Sequence, residues 1–143
     1  MAEYFIKDQQ AMLELGAKLA QSCQPGMILF LQGPLGAGKT TLVRGILKGL
    51  DYHGKVKSPT YTLVESYNLS QKTLFHFDLY RLNSPQELLE IGFEDYLRSD
   101  AMIIIEWPEK ASSILPKADF FCTIAIPNDG LGRKVQITTN QDD

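Results

Sequence analysis

Cysteine and histidine are both scarce in this chain, and they are scattered. Cys23 and Cys122 lie far apart and form no C-x-x-C pair, and the two histidines, His53 and His76, are not neighbours. A structural zinc site needs four ligands at close, paired spacings, so a zinc finger or ribbon is excluded. The pattern reads instead as two reduced thiols in a cytosolic core. Long apolar runs are absent too. No stretch approaches the ~18–20 residues that a membrane-spanning helix requires, and Met1-Ala2-Glu3-Tyr4 is not the basic opening of a secretory signal. A cytoplasmic location is expected. Positive charge is not in excess: 14 Lys and Arg against 17 Asp and Glu leave a net charge of −3. That argues against a stand-alone nucleic-acid binder, which carries a basic patch, and leaves open a site shared with a basic partner. There is no internal repeat, low-complexity tract or linker, so the 143 residues are read as one domain, 1–143, with an ordered core from about 4 to 138.

What the chain does have is one complete phosphate-binding signature. Gly33-Pro34-Leu35-Gly36-Ala37-Gly38-Lys39-Thr40 fits G-x-x-x-x-G-K-[ST] at every fixed position, and Thr41 follows. The apolar run Met27–Leu31 precedes it and a helix over Lys39–Leu50 follows, which is the strand–loop–helix setting the motif needs. The glycines let successive backbone N–H groups of the loop turn inward on a phosphate, at the positive end of the following helix. Lys39 is placed to reach the β- and γ-phosphates, and the Thr40 hydroxyl to ligate Mg²⁺.

The rest of the chain alternates strands and helices. Asp8 is an N-cap for an amphipathic helix to Cys23, with Met12, Leu15, Leu19 and Ala20 at helical spacing. Thr60–Tyr67 and Thr73–Leu79 read as the two arms of a β-hairpin joined by a turn at Asn68–Lys72. Ser84-Pro85-Gln86-Glu87 is a capping box that opens a helix to about Leu97. Ala101–Glu106, with three successive isoleucines, reads as a central strand buried on both faces. Phe120–Ile126 and Lys134–Thr138 are two late strands about a turn at Asn128-Asp129-Gly130, and Asn140–Asp143 reads as a frayed end. The fold class is α/β: a single-domain P-loop NTPase fold with a mixed, mostly parallel sheet, flanking helices and a β-hairpin.

A phosphate loop needs a second acidic group at the end of a neighbouring strand to help hold Mg²⁺. Two segments qualify. Leu74–Asp78 is apolar and ends in Asp; Met102–Glu106 is the stronger central strand and ends in Glu. Composition favours Glu106, because His76 and the hairpin make 74–78 look like a sheet edge; both carboxylates can reach one site. Ser58-Pro59-Thr60-Tyr61-Thr62 is either a switch loop whose threonine senses the γ-phosphate and Mg²⁺, or a proline turn entering a strand. Trp107 reads as an aromatic packed beside the site, Arg44 as solvated, and Arg81 as the one arginine near the phosphates.

Taken in order, G-P-L-G-A-G-K-T-T at 33–41, K-S-P-T-Y-T-L-V-E at 57–65, H-F-D-L-Y-R-L at 76–82 and I-E-W-P at 105–108 resemble the bacterial TsaE (YjeE) family, over about residues 8 to 138. The first motif is generic and the later three together are specific. The resemblance implies an ATPase of tRNA threonylcarbamoyladenosine biosynthesis, slow by itself. Its implied partners are TsaB and TsaD, the latter transferring the threonylcarbamoyl group to an adenosine of tRNA. It implies ATP and Mg²⁺ as cofactors, with Thr40 and Glu106 on the metal. It puts the switch-loop threonine at Thr60, the required aspartate at Asp78, and the rest of the nucleotide pocket at Gln9 and Arg133. Phosphate contacts fall on Gly33, Gly36, Ala37, Gly38, Lys39, Thr40 and Thr41. The chain departs from the family at Ala11 and Met12, where threonine is frequent.

Two other classes compete. A small-molecule P-loop kinase needs an acceptor pocket and a lid with several arginines, and only Arg81, Arg98 and Arg133 follow the loop helix. A GTPase-like switch needs an N-K-x-D guanine motif, which none of the asparagines supplies. A nucleotide-dependent binding switch without essential turnover is the remaining alternative.

Overall fold

The computed structural model describes residues 2–70 and 72–139. In chain order the strands are β1 Ala2–Ile6, β2 Ile28–Gln32, β3 Val64–Asn68, β4 Thr73–Asp78, β5 Met102–Glu106, β6 Phe120–Ala125 and β7 Arg133–Thr139. The helices are α1 Gln9–Ala20, α2 Lys39–Gly49, α3 Pro85–Glu90 and α4 Phe93–Arg98, and a 3₁₀ turn spans Pro108–Ala111. The frayed end expected at Asn140–Asp143 lies outside the described residues, as does Gln71 of the turn expected at Asn68–Lys72.

The described strands form one sheet in the order β1-β7-β6-β2-β5-β4-β3. Its centre, β6-β2-β5-β4, is parallel, and its flanks are antiparallel: β3 with β4, and β7 with both β6 and β1. The triple isoleucine explains the middle. Every residue of β5 is buried, and side chains alternate between the two sheet faces. Met102 and Ile104 join the core under α1 and α2, with Leu29, Leu31, Leu42 and Ile46. Ile103 and Ile105 join the opposite core under α3, α4 and the 3₁₀ turn, with Phe77, Leu88, Phe93 and Ala111. The sheet is therefore sandwiched between two helical layers, and Glu106, in phase with Met102 and Ile104, turns toward the layer that carries α2.

Several boundaries differ from the sequence expectation. The helix expected to run from Ser84 to Leu97 is two short helices, because Gly92 adopts φ 84° between them, a left-handed conformation that glycine takes at no steric cost. The expected capping box is not made: Ser84 caps without a side-chain bond, and the Glu87 carboxylate accepts from the Asn83 N–H at 3.1 Å rather than from the Ser84 N–H that the box requires. The first hairpin arm begins at Val64, not Thr60; Leu63, at φ 71°, ends a turn whose Leu63 N–H donates to Pro59 O at 2.8 Å. Residues 74–78 are not the sheet edge, since β3 lies outside them. Strand β1 was not anticipated: its partner β7 comes from the far end of the chain, and a five-residue segment has no local signal for that pairing.

Candidate functional site

The carboxyl ends of β2, β5 and β4 are adjacent, which is where open α/β sheets bind ligands. The phosphate loop leaves β2 at Gly33 and enters α2 at Lys39. Gly36 and Gly38 sit at φ 81° and 109°, values that other residues adopt rarely. Loop and helix start open onto a cavity of about 440 Å³, within the range of small-molecule sites. Of the expected phosphate contacts, Gly36 to Thr41 line it and Gly33 does not. Gly33 instead holds the base of the loop: its carbonyl accepts from Lys39 Nζ at 2.5 Å.

Asp78 and Glu106 face each other across the β4–β5 ladder as direct register partners. Both line the cavity and both are buried, at 7% and 4% exposure. Buried carboxylates need partners, and each has them. Asp78 Oδ1 accepts the Tyr80 N–H at 3.0 Å, and Oδ2 accepts the Thr60 hydroxyl at 3.3 Å. The Thr60 hydroxyl is also 2.8 Å from that of Ser58, so the 58–62 loop is latched to Asp78. Glu106 shares its two oxygens: Oε1 is 3.8 Å from Lys39 Nζ and Oε2 is 2.5 Å from His76 Nε2. Burial holds the Lys39 ammonium below the usual lysine range, against the opposing pull of Glu106, Asp78 and Glu109.

Trp107 completes this cluster. At φ 57° it is in a left-handed conformation that is strained for a bulky residue. The turn lays its ring 4.1 Å from Lys39 Nζ and 4.8 Å from the Tyr80 ring. Gln9 and Arg133 also line the cavity. The Arg133 guanidinium donates to the loop carbonyls of Ala37 and Gly36, both at 3.2 Å, so it braces the phosphate loop from the side. Arg81, in contrast, is not in the cavity; it lies over the Tyr61 ring at 4.3 Å. From composition His76 marks a sheet edge, whereas the fold buries it against Glu106. Period-two alternation in H-F-D was the available signal, since it puts 76 and 78 on one face.

The oxygen donors that line the cavity include the Thr40 hydroxyl and the carboxylates of Asp78 and Glu106. These are hard oxygen ligands, the set that Mg²⁺ prefers. Among the described residues no group of three or more His, Cys, Asp or Glu could hold a metal unaided. A hard cation would therefore take its remaining ligands from water and from a bound phosphate, as Mg²⁺ commonly does.

A glycine-rich strand–loop–helix at the centre of a parallel sheet, with carboxylates at the neighbouring strand ends, defines a P-loop NTPase fold. The crystal structure of Bacillus subtilis YdiB has the same fold, at a TM-score of 0.81 and 25% identity, covering 96% of this chain and 84% of that one. The family model described as threonylcarbamoyl adenosine biosynthesis protein TsaE matches residues 6–135. Relatives named tRNA threonylcarbamoyladenosine biosynthesis protein TsaE include one from Haemophilus influenzae, 45% identical over 141 residues, covering 95% of this chain and 89% of the relative. Another, from Nostoc, is 40% identical over 114 residues, covering 77% and 70%. The chain belongs to the TsaE family.

Proposed function

We propose that this protein binds and hydrolyses Mg²⁺–ATP as a nucleotide-dependent switch in tRNA threonylcarbamoyladenosine biosynthesis, acting on a TsaB–TsaD complex in the cytoplasm. The observation that carries the reading is the convergence of Lys39, Thr40, Thr60, Asp78 and Glu106 on one cavity. Family membership supports the pathway. The role of tRNA is indirect, through the complex, consistent with a chain of net charge −3.

In this reading the loop amides and Lys39 bind the β- and γ-phosphates, while Gln9 and Arg133 border the rest of the nucleotide. Thr40 and Glu106 would hold Mg²⁺, which when bound would neutralise phosphate charge. Asp78 orients the attacking water. It already accepts the Thr60 hydroxyl, so Thr60 has two alternative partners, Asp78 and a γ-phosphate. Exchange between them would couple the 58–62 loop to nucleotide state. Among the described residues Arg133 is the arginine that lines the cavity, and it is engaged with the loop carbonyls and not free to act as a finger toward the phosphates. Turnover is therefore slow alone and changes when partners bind. A finger supplied in trans is worth about 10³–10⁵ in such enzymes.

The test has two arms. Phosphate release from ATP without any acceptor should be measurable, which separates hydrolysis from kinase activity. Binding to purified TsaB–TsaD should be tighter with ATP than with ADP, and Thr60→Ala should erase most of that difference. Equal partner affinity with ATP, ADP and no nucleotide would refute the switch, because a ligand shifts an equilibrium only by its differential affinity for the two states.

A further inference from the structure

His76 has no solvent exposure, lies in the middle of β4, and is the described residue with a buried side-chain nitrogen, Nδ1, that lacks any hydrogen-bond partner. A hydrocarbon side chain would fill the same place without that cost, since a buried polar atom left unpaired is unfavourable. On packing grounds alone a leucine or valine fits better. The histidine does make one contact: Nε2 is 2.5 Å from Glu106 Oε2. His76 is in register with Ile104, so Glu106 is its diagonal neighbour on the same face of the sheet, one step nearer the cavity.

The hydrogen-bond pattern assigns the tautomer. The carboxylate oxygen accepts, so Nε2 carries the proton. A proton on Nδ1 would be a second donor with nothing to receive it. The imidazole is thus a fixed, single-donor prop. It occupies Oε2 and leaves Oε1, the oxygen 3.8 Å from the Lys39 ammonium, for the cavity. Without it, the Glu106 side chain regains rotation about its terminal bond, whose preference is broad and roughly two-fold.

We propose that His76 is a positioning residue: its Nε2–H orients the Glu106 carboxylate so that one defined oxygen serves Mg²⁺ in the nucleotide complex. This rests on the reading above that Glu106 serves the metal. Groups that orient metal ligands from behind commonly affect metal affinity by about 10–100-fold when removed. A purely structural core histidine would instead alter stability and leave the metal dependence alone.

The experiment compares wild type, His76→Met and His76→Gln. Methionine keeps bulk and removes the donor, while the glutamine amide nitrogen reaches about as far as Nε2. ADP affinity is measured by the fluorescence of Trp107, the single tryptophan, across a Mg²⁺ titration and in excess chelator. His76→Met should raise the half-saturating Mg²⁺ concentration by about tenfold or more, with ADP affinity in chelator unchanged within about twofold. His76→Gln should recover most of the loss. Wild-type Mg²⁺ dependence in His76→Met, or equal impairment in both variants, overturns the proposal. A wild-type protein whose ADP binding ignores Mg²⁺ overturns the metal reading of Glu106 itself, and this inference with it. If His76→Met does not fold, the long-range ¹H–¹⁵N spectrum of the wild-type imidazole decides. The Nε2–H tautomer, with an Nε2 signal that moves in Glu106→Gln, supports the role; the Nδ1–H tautomer or an unmoved signal overturns it.

Discussion

Replacing Gly45 by alanine should destabilise this protein, although the same change in an exposed helix would stabilise it. Gly45 is in the middle of α2, where alanine is favoured over glycine by about 0.8–1 kcal/mol. The local environment reverses the sign. A methyl group at Gly45 would meet the backbone of Leu13 in α1: its carbonyl oxygen, and its C and Cα atoms at 3.0 Å. Gly16, on α1, faces the same crossing from the other side, where a methyl would lie 2.5 Å from Leu42 O and 2.8 Å from Gly45 Cα. These are backbone atoms, which have no rotamer to escape into, so relief requires the helices to separate. Overpacking of a tight core costs about 1–3 kcal/mol, and a backbone clash belongs at the upper end. Less the propensity gain, the net loss is about 1–2 kcal/mol, or roughly 3–8 °C in Tm for a chain of this size. The displaced helix also carries Lys39 and Thr40 at its start, so ADP affinity should fall in the same variant. Urea unfolding and a calorimetric ADP titration measure both. A Gly45→Ala protein that is more stable by about 1 kcal/mol would show that the α1–α2 crossing is not as close as described, and would refute the reasoning.

Other perturbations probe the site directly. Lys39→Ala removes the cation beside Gly33, Glu106 and Trp107 and should weaken ATP binding by roughly 1.5–3 kcal/mol, about 10- to 150-fold; unchanged affinity by calorimetry would refute the phosphate-loop assignment. Asp78→Asn keeps an acceptor for the Tyr80 N–H and removes the charge, so turnover should drop far more than ATP affinity; equal loss in both would mean a binding or folding role. The thiols set an alkaline limit on stability. Burial raises Cys23 to about 11 and Cys122 to about 12, from 9.0. Above about pH 9 the unfolded chain therefore loses thiol protons that the folded chain keeps, and stability falls as pH rises toward those values. For the fully buried Cys122 the slope approaches about 1.4 kcal/mol per pH unit. Urea unfolding from pH 8 to 10.5 should show a steeper decline in wild type than in Cys122→Ala; parallel slopes would contradict it.

Much of this protein was legible in the order of its residues, for local reasons. The phosphate loop depends on left-handed backbone at Gly36 and Gly38 and on two side chains that follow at once, so a short string carries it whole. The three isoleucines marked β5 as central because only a strand covered on both faces tolerates an unbroken apolar run. Asp78 and Glu106 were both legible as strand-end carboxylates. What their sequence did not contain was that β4 and β5 are neighbours in a register that sets them opposite each other. It equally withheld that Thr60 reaches Asp78, that Trp107 turns back over Lys39, and that β1 pairs with the far end of the chain. Each of these depends on segments brought together by strand order and register, which periodicity along one strand does not encode. His76 shows the division most clearly. Its alternation with Asp78 put it on the right face of the sheet; only the packed structure put Glu106 within reach of one ring nitrogen and nothing within reach of the other.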